Sequence, residues 1–163
     1  MKSFETNDWL VLNSIIYKIY TTNDFDGMRK QFLEQIKTVI DFDSADFYLA
    51  SSNAVTRDGS LVNIDGQANR VAAMIQGPKH VILVIGSQKV VDGGVNAAIA
   101  RIRSQACPPN AKRLKLDTPC ARTGVCNQSE CGDDCMCRVT VILDHPTRGR
   151  TVTVIVTEEA LGY

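Results

Sequence analysis

Residues 80–85, HVILVI, constrain this chain more than any other segment, because five apolar residues follow His80 without interruption, with Gly77-Pro78 before them and Gly86 after. A strand with one face in water alternates apolar and polar side chains. An unbroken run of strand length therefore marks a strand buried on both faces, as in parallel sheets covered by helices. The surrounding segments alternate as such a sheet requires. Asp58-Gly59 lies between two β-capable stretches, 51–56 and 61–64, and signals a hairpin or tight turn. Residues 69–76 read as a helix that Gly77-Pro78 ends, and Val95, Ala98, Ile99 and Ile102 place another over 95–103. Two further strands follow at 139–143 and 152–156. This order predicts an α/β fold with a mostly parallel sheet, flanking helices and connections of the usual hand.

Ahead of this block the chain changes character. Nine of its ten aromatic residues fall in residues 1–50, whereas all six cysteines, all five prolines and ten of the eleven glycines come later. Residues 1–50 hold five basic and eight acidic side chains, net −3, and residues 51–163 hold thirteen and ten, net +3, giving the zero of the whole chain. Spacings of three and four through Trp9, Leu12, Ile15, Ile16, Ile19 and Tyr20, and again through Phe25, Met28, Phe32, Ile36 and Val39, predict two amphipathic helices. A strand follows at 45–50. Two parts result, a helical segment 1–44 and an α/β domain 45–163. The aromatic stripe is expected to pack on the sheet, since isolated helices of this length are marginal. Balanced charge leaves no electrostatic footprint for nucleic acid or an anionic membrane surface. No apolar run approaches the roughly 18 to 20 residues of a membrane span, and the opening MKSFETNDW lacks a signal peptide's layout, so a cytoplasmic location is expected.

The best candidate for a small-molecule site is NIDGQANR. Gly66 allows a positive φ or a close backbone approach, and Asn69 and Arg70 open a helix whose free amides favour an anion, a small carboxylate or phosphate. Asn53, Thr56, Asn63 and Asp65 fall on adjoining strand ends, where ligands bind in open α/β sheets. The plainer alternative is a turn in which Asp65 and Asn69 satisfy backbone groups and Arg70 is paired at the surface.

Six cysteines within 31 residues, Cys107, Cys120, Cys126, Cys131, Cys135 and Cys137, are the strongest chemical signal. In a reducing compartment such density points to metal ahead of disulfides. From Cys120 the intervening residues number five, four, three and one, which fits neither a zinc ribbon nor a ferredoxin run. Soft thiolates suit zinc or an iron–sulfur cluster. Free or redox-active thiols and disulfides stay open as alternatives. The expected centre uses Cys120, Cys126, Cys131 and one of Cys135 or Cys137, with Cys107 outside it as a packed thiol at a helix end. His80, opening the buried run, is expected to be a packed histidine. His145 precedes a proline in a loop. No nucleophile elbow, phosphate loop or zincin motif occurs, and no organic cofactor is identifiable.

The stretches SSNAVTRDGSLVNIDGQANRVAAMIQGPKHVILVIG, NAKRLKLDTPCARTGVC and TVTVIVTEEALGY, in this order, resemble the lactate-utilization (LUD) domain family, whose members are similar to lactate-utilization protein C. The resemblance covers about residues 45–163. It implies a fold like that of the sugar-isomerase and coenzyme A-transferase group, incomplete here at its N-terminus. It also implies an association with oxidation of lactate or a similar small hydroxy acid, as an accessory or ligand-binding subunit beside iron–sulfur or flavin redox partner subunits. Ala68 departs from the family's DGxGNR-like turn, which has a second glycine there. Residues 1–44, with FETNDWLVLNSIIYKIYTTNDFDGMRKQFLEQ, resemble instead the opening helices of a GAF-like sensor domain, as in a fused or truncated chain that could pair as a homodimer. The alternative to a metabolic role is a metal-containing binding or sensor module without catalytic activity.

Overall fold

The computed structural model describes residues 45–163, and the two helices expected before them lie outside the described residues. The chain divides into two units, Met1–Asp41 and Phe42–Tyr163. In the second unit β1 (Phe47–Ala50), β4 (His80–Gly86) and β7 (Thr151–Thr157) form a three-stranded, all-parallel sheet with β4 in the middle. The register pairs Tyr48 with Val81 and Val81 with Val152. The central run is thus the middle strand, as its apolar continuity requires. Its two faces are not equivalent, however: Val81, Leu83 and Ile85 are buried, whereas Ile82 and Val84 are half-buried.

This is the expected parallel sheet of an α/β fold, and a second sheet accompanies it. β2 (Ala54–Thr56) and β3 (Leu61–Asp65) form the predicted hairpin, closed by the Gly59 amide donating to the Thr56 carbonyl, with Gly59 at φ 98°. This hairpin pairs with β5 (Val90–Val91) and β6 (Val139–Leu143) in a separate four-stranded sheet, order β5-β2-β3-β6. Only its β2–β5 contact is parallel. The physical reason is the short connection, because a tight turn returns the chain antiparallel, whereas a parallel neighbour needs a longer crossover.

Among the described residues the helices are α1 (Asn69–Gln76), α2 (Gly94–Arg101), α3 (Cys107–Arg113) and α4 (Pro119–Thr123). A π-helical stretch, Ile102–Ala106, joins α2 to α3, so the helix predicted to stop near residue 103 continues to Arg113. The cysteine-rich region 107–137 is correspondingly not one loop: α3, α4 and two 3-10 turns, Gln128–Glu130 and Gly132–Asp134, lie within it. Side chains alternate across the hairpin. Ala54, Val62 and Ile64 pack on Ala98, Ile102, Ala106 and Cys107 of the helix, and Val55 and Leu61 pack on Val81, Leu83 and Ile85 of the parallel sheet. The second sheet is therefore the middle layer, covered on both faces. No helix among the described residues is long and apolar enough to cross a membrane.

Candidate functional site: a buried cationic cluster at the carboxyl end of the parallel sheet

The carboxyl ends of β1 and β4 run directly into Ser51–Asn53 and into a 3-10 turn, Ser87–Lys89. Here three cationic side chains converge on one short backbone stretch. Arg70 donates from one terminal nitrogen to the Ser51 carbonyl at 3.0 Å, Lys89 Nζ donates to Ser51 Oγ at 3.2 Å, and Arg101 donates to the Asn53 carbonyl at 2.9 Å. Lys89 is 5% exposed and Arg101 7%. Among the described residues neither has a carboxylate within ion-pair distance, whereas Arg70 pairs with Asp65 at 3.6 Å. Of the three cations, Arg70 alone has a carboxylate partner among the described residues.

The electrostatic consequence falls on Lys89. Burial, then the neighbouring Arg101 and Arg70, lowers its pKa from the ordinary 10.5 to about 8. Burial also lowers that of Arg101. Desolvating an unpaired cation costs several kcal/mol in general, and this fold gathers two of them.

The structure brings together most of the residues picked from the sequence. Asn63 Oδ1 accepts from the Asn53 amide, from Ser52 Oγ and from Arg70, at 3.1, 3.3 and 2.7 Å. Asn53 Oδ1 accepts from the Ile64 amide and the other Arg70 terminal nitrogen. The Arg70 guanidinium is thereby committed to its own chain, which is the plainer of the two readings of that residue. Asn63 is fully buried and its Nδ2 has no hydrogen-bond partner. Asp65 Oδ1 accepts from the Gly66 amide, and Asn69 Oδ1 from the Arg70 amide. Gly66 serves packing, since a Cβ there would come within 3.2 Å of the Met136 carbonyl. Thr56 lies apart from the cluster: its hydroxyl bridges the Ser60 amide and carbonyl and closes the hairpin. His80 is exposed, at the opposite end of β4, with Nδ1 2.8 Å from Thr151 Oγ1, and is not a packed core residue.

Sequence reasoning passed over Lys89 and Arg101. A signal existed for the second, because Arg101 falls three residues after Ala98 and beside Ile102, on the apolar face of its helix. The chain end crosses the same region. Ser87 Oγ donates to the Glu158 carbonyl, and Gln88 Nε2 to those of Leu161 and Gly162. Gly86 is required beneath this crossing, since a Cβ would lie 2.4 Å from the Leu161 nitrogen and 2.8 Å from the Glu159 carbonyl.

The cysteines form a second feature. Cys107 is the expected packed thiol at a helix end, 2% exposed at the start of α3, and its sulfur lies 3.3 Å from that of Cys137. Its hydrogen bond to Cys137, then burial, pushes the Cys107 thiol far up, while that bond, helped by Arg103, lowers Cys137 to about 7. Burial, and then a bond with Cys135, raises Cys131 to about 11. Cys120 is buried behind Thr118, and burial and then Cys137 raise Cys126. Among the described residues no three sulfur, imidazole or carboxylate groups stand so as to hold one metal ion.

No curated protein and no solved structure matches the chain. A family model of the LUD domain does, over residues 16–157, most of the sequence. That match begins upstream of residue 45, inside the stretch that resembles a GAF-like opening, and runs through the cationic cluster and all six cysteines. The chain therefore belongs to the LUD-domain family, which is associated with lactate utilization.

Proposed function

We propose that this protein binds a small anionic metabolite, a carboxylate or phosphate, at the cationic cluster, and serves hydroxy-acid oxidation as an accessory, ligand-binding subunit beside redox partner subunits. The observation that carries this is the burial of Lys89 and Arg101 without a carboxylate at either. An anion seated beside Ser51 supplies the missing charge, and two charge-assisted hydrogen bonds to it are each stronger than a neutral one. The position agrees with the rule that ligands of open α/β sheets bind outside the carboxyl ends of the strands. Asn63 Nδ2, buried and unpartnered, adds a neutral donor to the same neighbourhood.

Titration calorimetry with lactate, pyruvate and inorganic phosphate tests the proposal. At least one should bind, and Lys89→Met should weaken it by about tenfold to a hundredfold, the worth of one hydrogen bond to a charged group. Equal affinity in the variant, or binding of none of the three, would overturn it.

A further inference from the structure

The thiol group carries an inference independent of the anion site. Cys107 opens α3 and Cys137 stands two residues before β6, thirty positions further on, yet the fold places their sulfurs 3.3 Å apart. We propose that Cys107 and Cys137 form a reversible dithiol–disulfide site, oxidised by low-molecular-weight disulfides, in which Cys137 attacks and Cys107 resolves.

Burial assigns the roles. Cys107 is 2% exposed, packed among Ala106, Ile102 and Ile64, whereas Cys137 is half-buried, so an incoming disulfide meets Cys137 first.

The chemistry balances with the disulfide R–S–S–R as oxidant. The Cys137 thiolate attacks one sulfur of R–S–S–R, breaking its S–S bond, forming a mixed disulfide and expelling the first thiolate, which takes up a proton. Cys107 then attacks the Cys137 sulfur, forming the protein disulfide and expelling the second thiolate, which takes up the proton that Cys107 gives up. The two protein thiols are oxidised by two electrons, and R–S–S–R is reduced to two R–SH. The sulfurs need to approach by only about 1 Å to reach a disulfide bond length. The bond joins the helix to the segment that supports the Gly66 turn, because the Met136 carbonyl packs on Gly66 and the Arg138 amide donates to the Asp65 carbonyl.

Full-length reduced protein, equilibrated with glutathione and glutathione disulfide in graded ratio, quenched, alkylated and mapped by peptide mass spectrometry, tests the site. A Cys107–Cys137 linkage should appear before any other and disappear with dithiothreitol. Cys107→Ser should accumulate glutathione on Cys137, and Cys137→Ser should carry none on Cys107. The linkage map of the unsubstituted protein decides the matter if either variant fails to fold. A first linkage at another pair such as Cys131–Cys135, or six alkylatable thiols at every ratio, would overturn the assignment. So would one zinc or iron per chain that is released when these two thiols are alkylated.

Discussion

Lys89 concentrates the argument at the scale of one residue. Its pKa is near 8 in the folded protein against an ordinary 10.5 in an open chain, so between those values the unfolded chain holds a proton that the folded one has released. Stability therefore rises with pH across this window, and below about pH 8 Lys89 is charged in both states at the full cost of burying it. A difference of 2.5 units corresponds to roughly 3 kcal/mol. Lys89→Met removes that cost, so without ligand the variant should be the more stable at pH 7, by about 1–3 kcal/mol, and lose most of this advantage by pH 10. Urea unfolding of both proteins at the two pH values measures it, and a constant difference would show that Lys89 does not carry the shift. The same titration makes anion affinity fall as pH rises past 8, because a bound anion holds the proton that the free site gives up. Nothing local in the sequence announces this residue: GSQKVVDG reads as a polar turn, and the charges around Lys89 come from Arg70 and Arg101, nineteen and twelve positions away.

Elements were legible where one local signal sufficed. The hairpin needed only Asp58-Gly59, helix α1 ended where Gly77-Pro78 required it, and the apolar run became β4. The π-helical continuation past residue 101 was not legible, because it depends on Ala106 and Cys107 finding Ile64 across the layer, a tertiary contact with no periodic signature. The start of α1 shows a local rule broken. Ala68, its N-cap, sits at φ 61° and has no side-chain cap, in a region that L-residues enter at a cost of roughly 1–2 kcal/mol. A glycine at this place would have no Cβ to strain. Ala68→Gly should therefore stabilise the protein, by about 0.5–1 kcal/mol after allowance for the greater freedom of glycine in the unfolded chain. Chemical denaturation gives the sign directly, and a destabilised variant would mean that the Ala68 methyl makes packing contacts worth more than the strain.

At the scale of the whole unit, one alternating hairpin joins two cores. Ala54, Val62 and Ile64 face the helix while Val55 and Leu61 face the parallel sheet, so neither layer keeps its partner surface if β2 and β3 separate. The class of the fold was legible because alternation of strand and helix limits the layers a chain can build. Its division into two sheets was not, since a strand's apolar pattern is the same whichever sheet receives it, and β6 and β7 were told apart only by their partners. Shared strands make unfolding of residues 45–163 a single cooperative event. Leu83, fully buried in the parallel sheet, makes no part of the helix core, yet Leu83→Ala should lower the stability of both layers together, by about 2–5 kcal/mol. Native-state hydrogen exchange resolves this, because amides of α2 and of β4 that open only by global unfolding should lose the same protection in the variant. Unchanged protection in Gly94–Arg101 beside a loss in His80–Gly86 would separate the layers into independent folding units. The proposed anion site, whose groups lie just after β1, in the 3-10 turn after β4 and on α2, would then be assembled from parts that open separately.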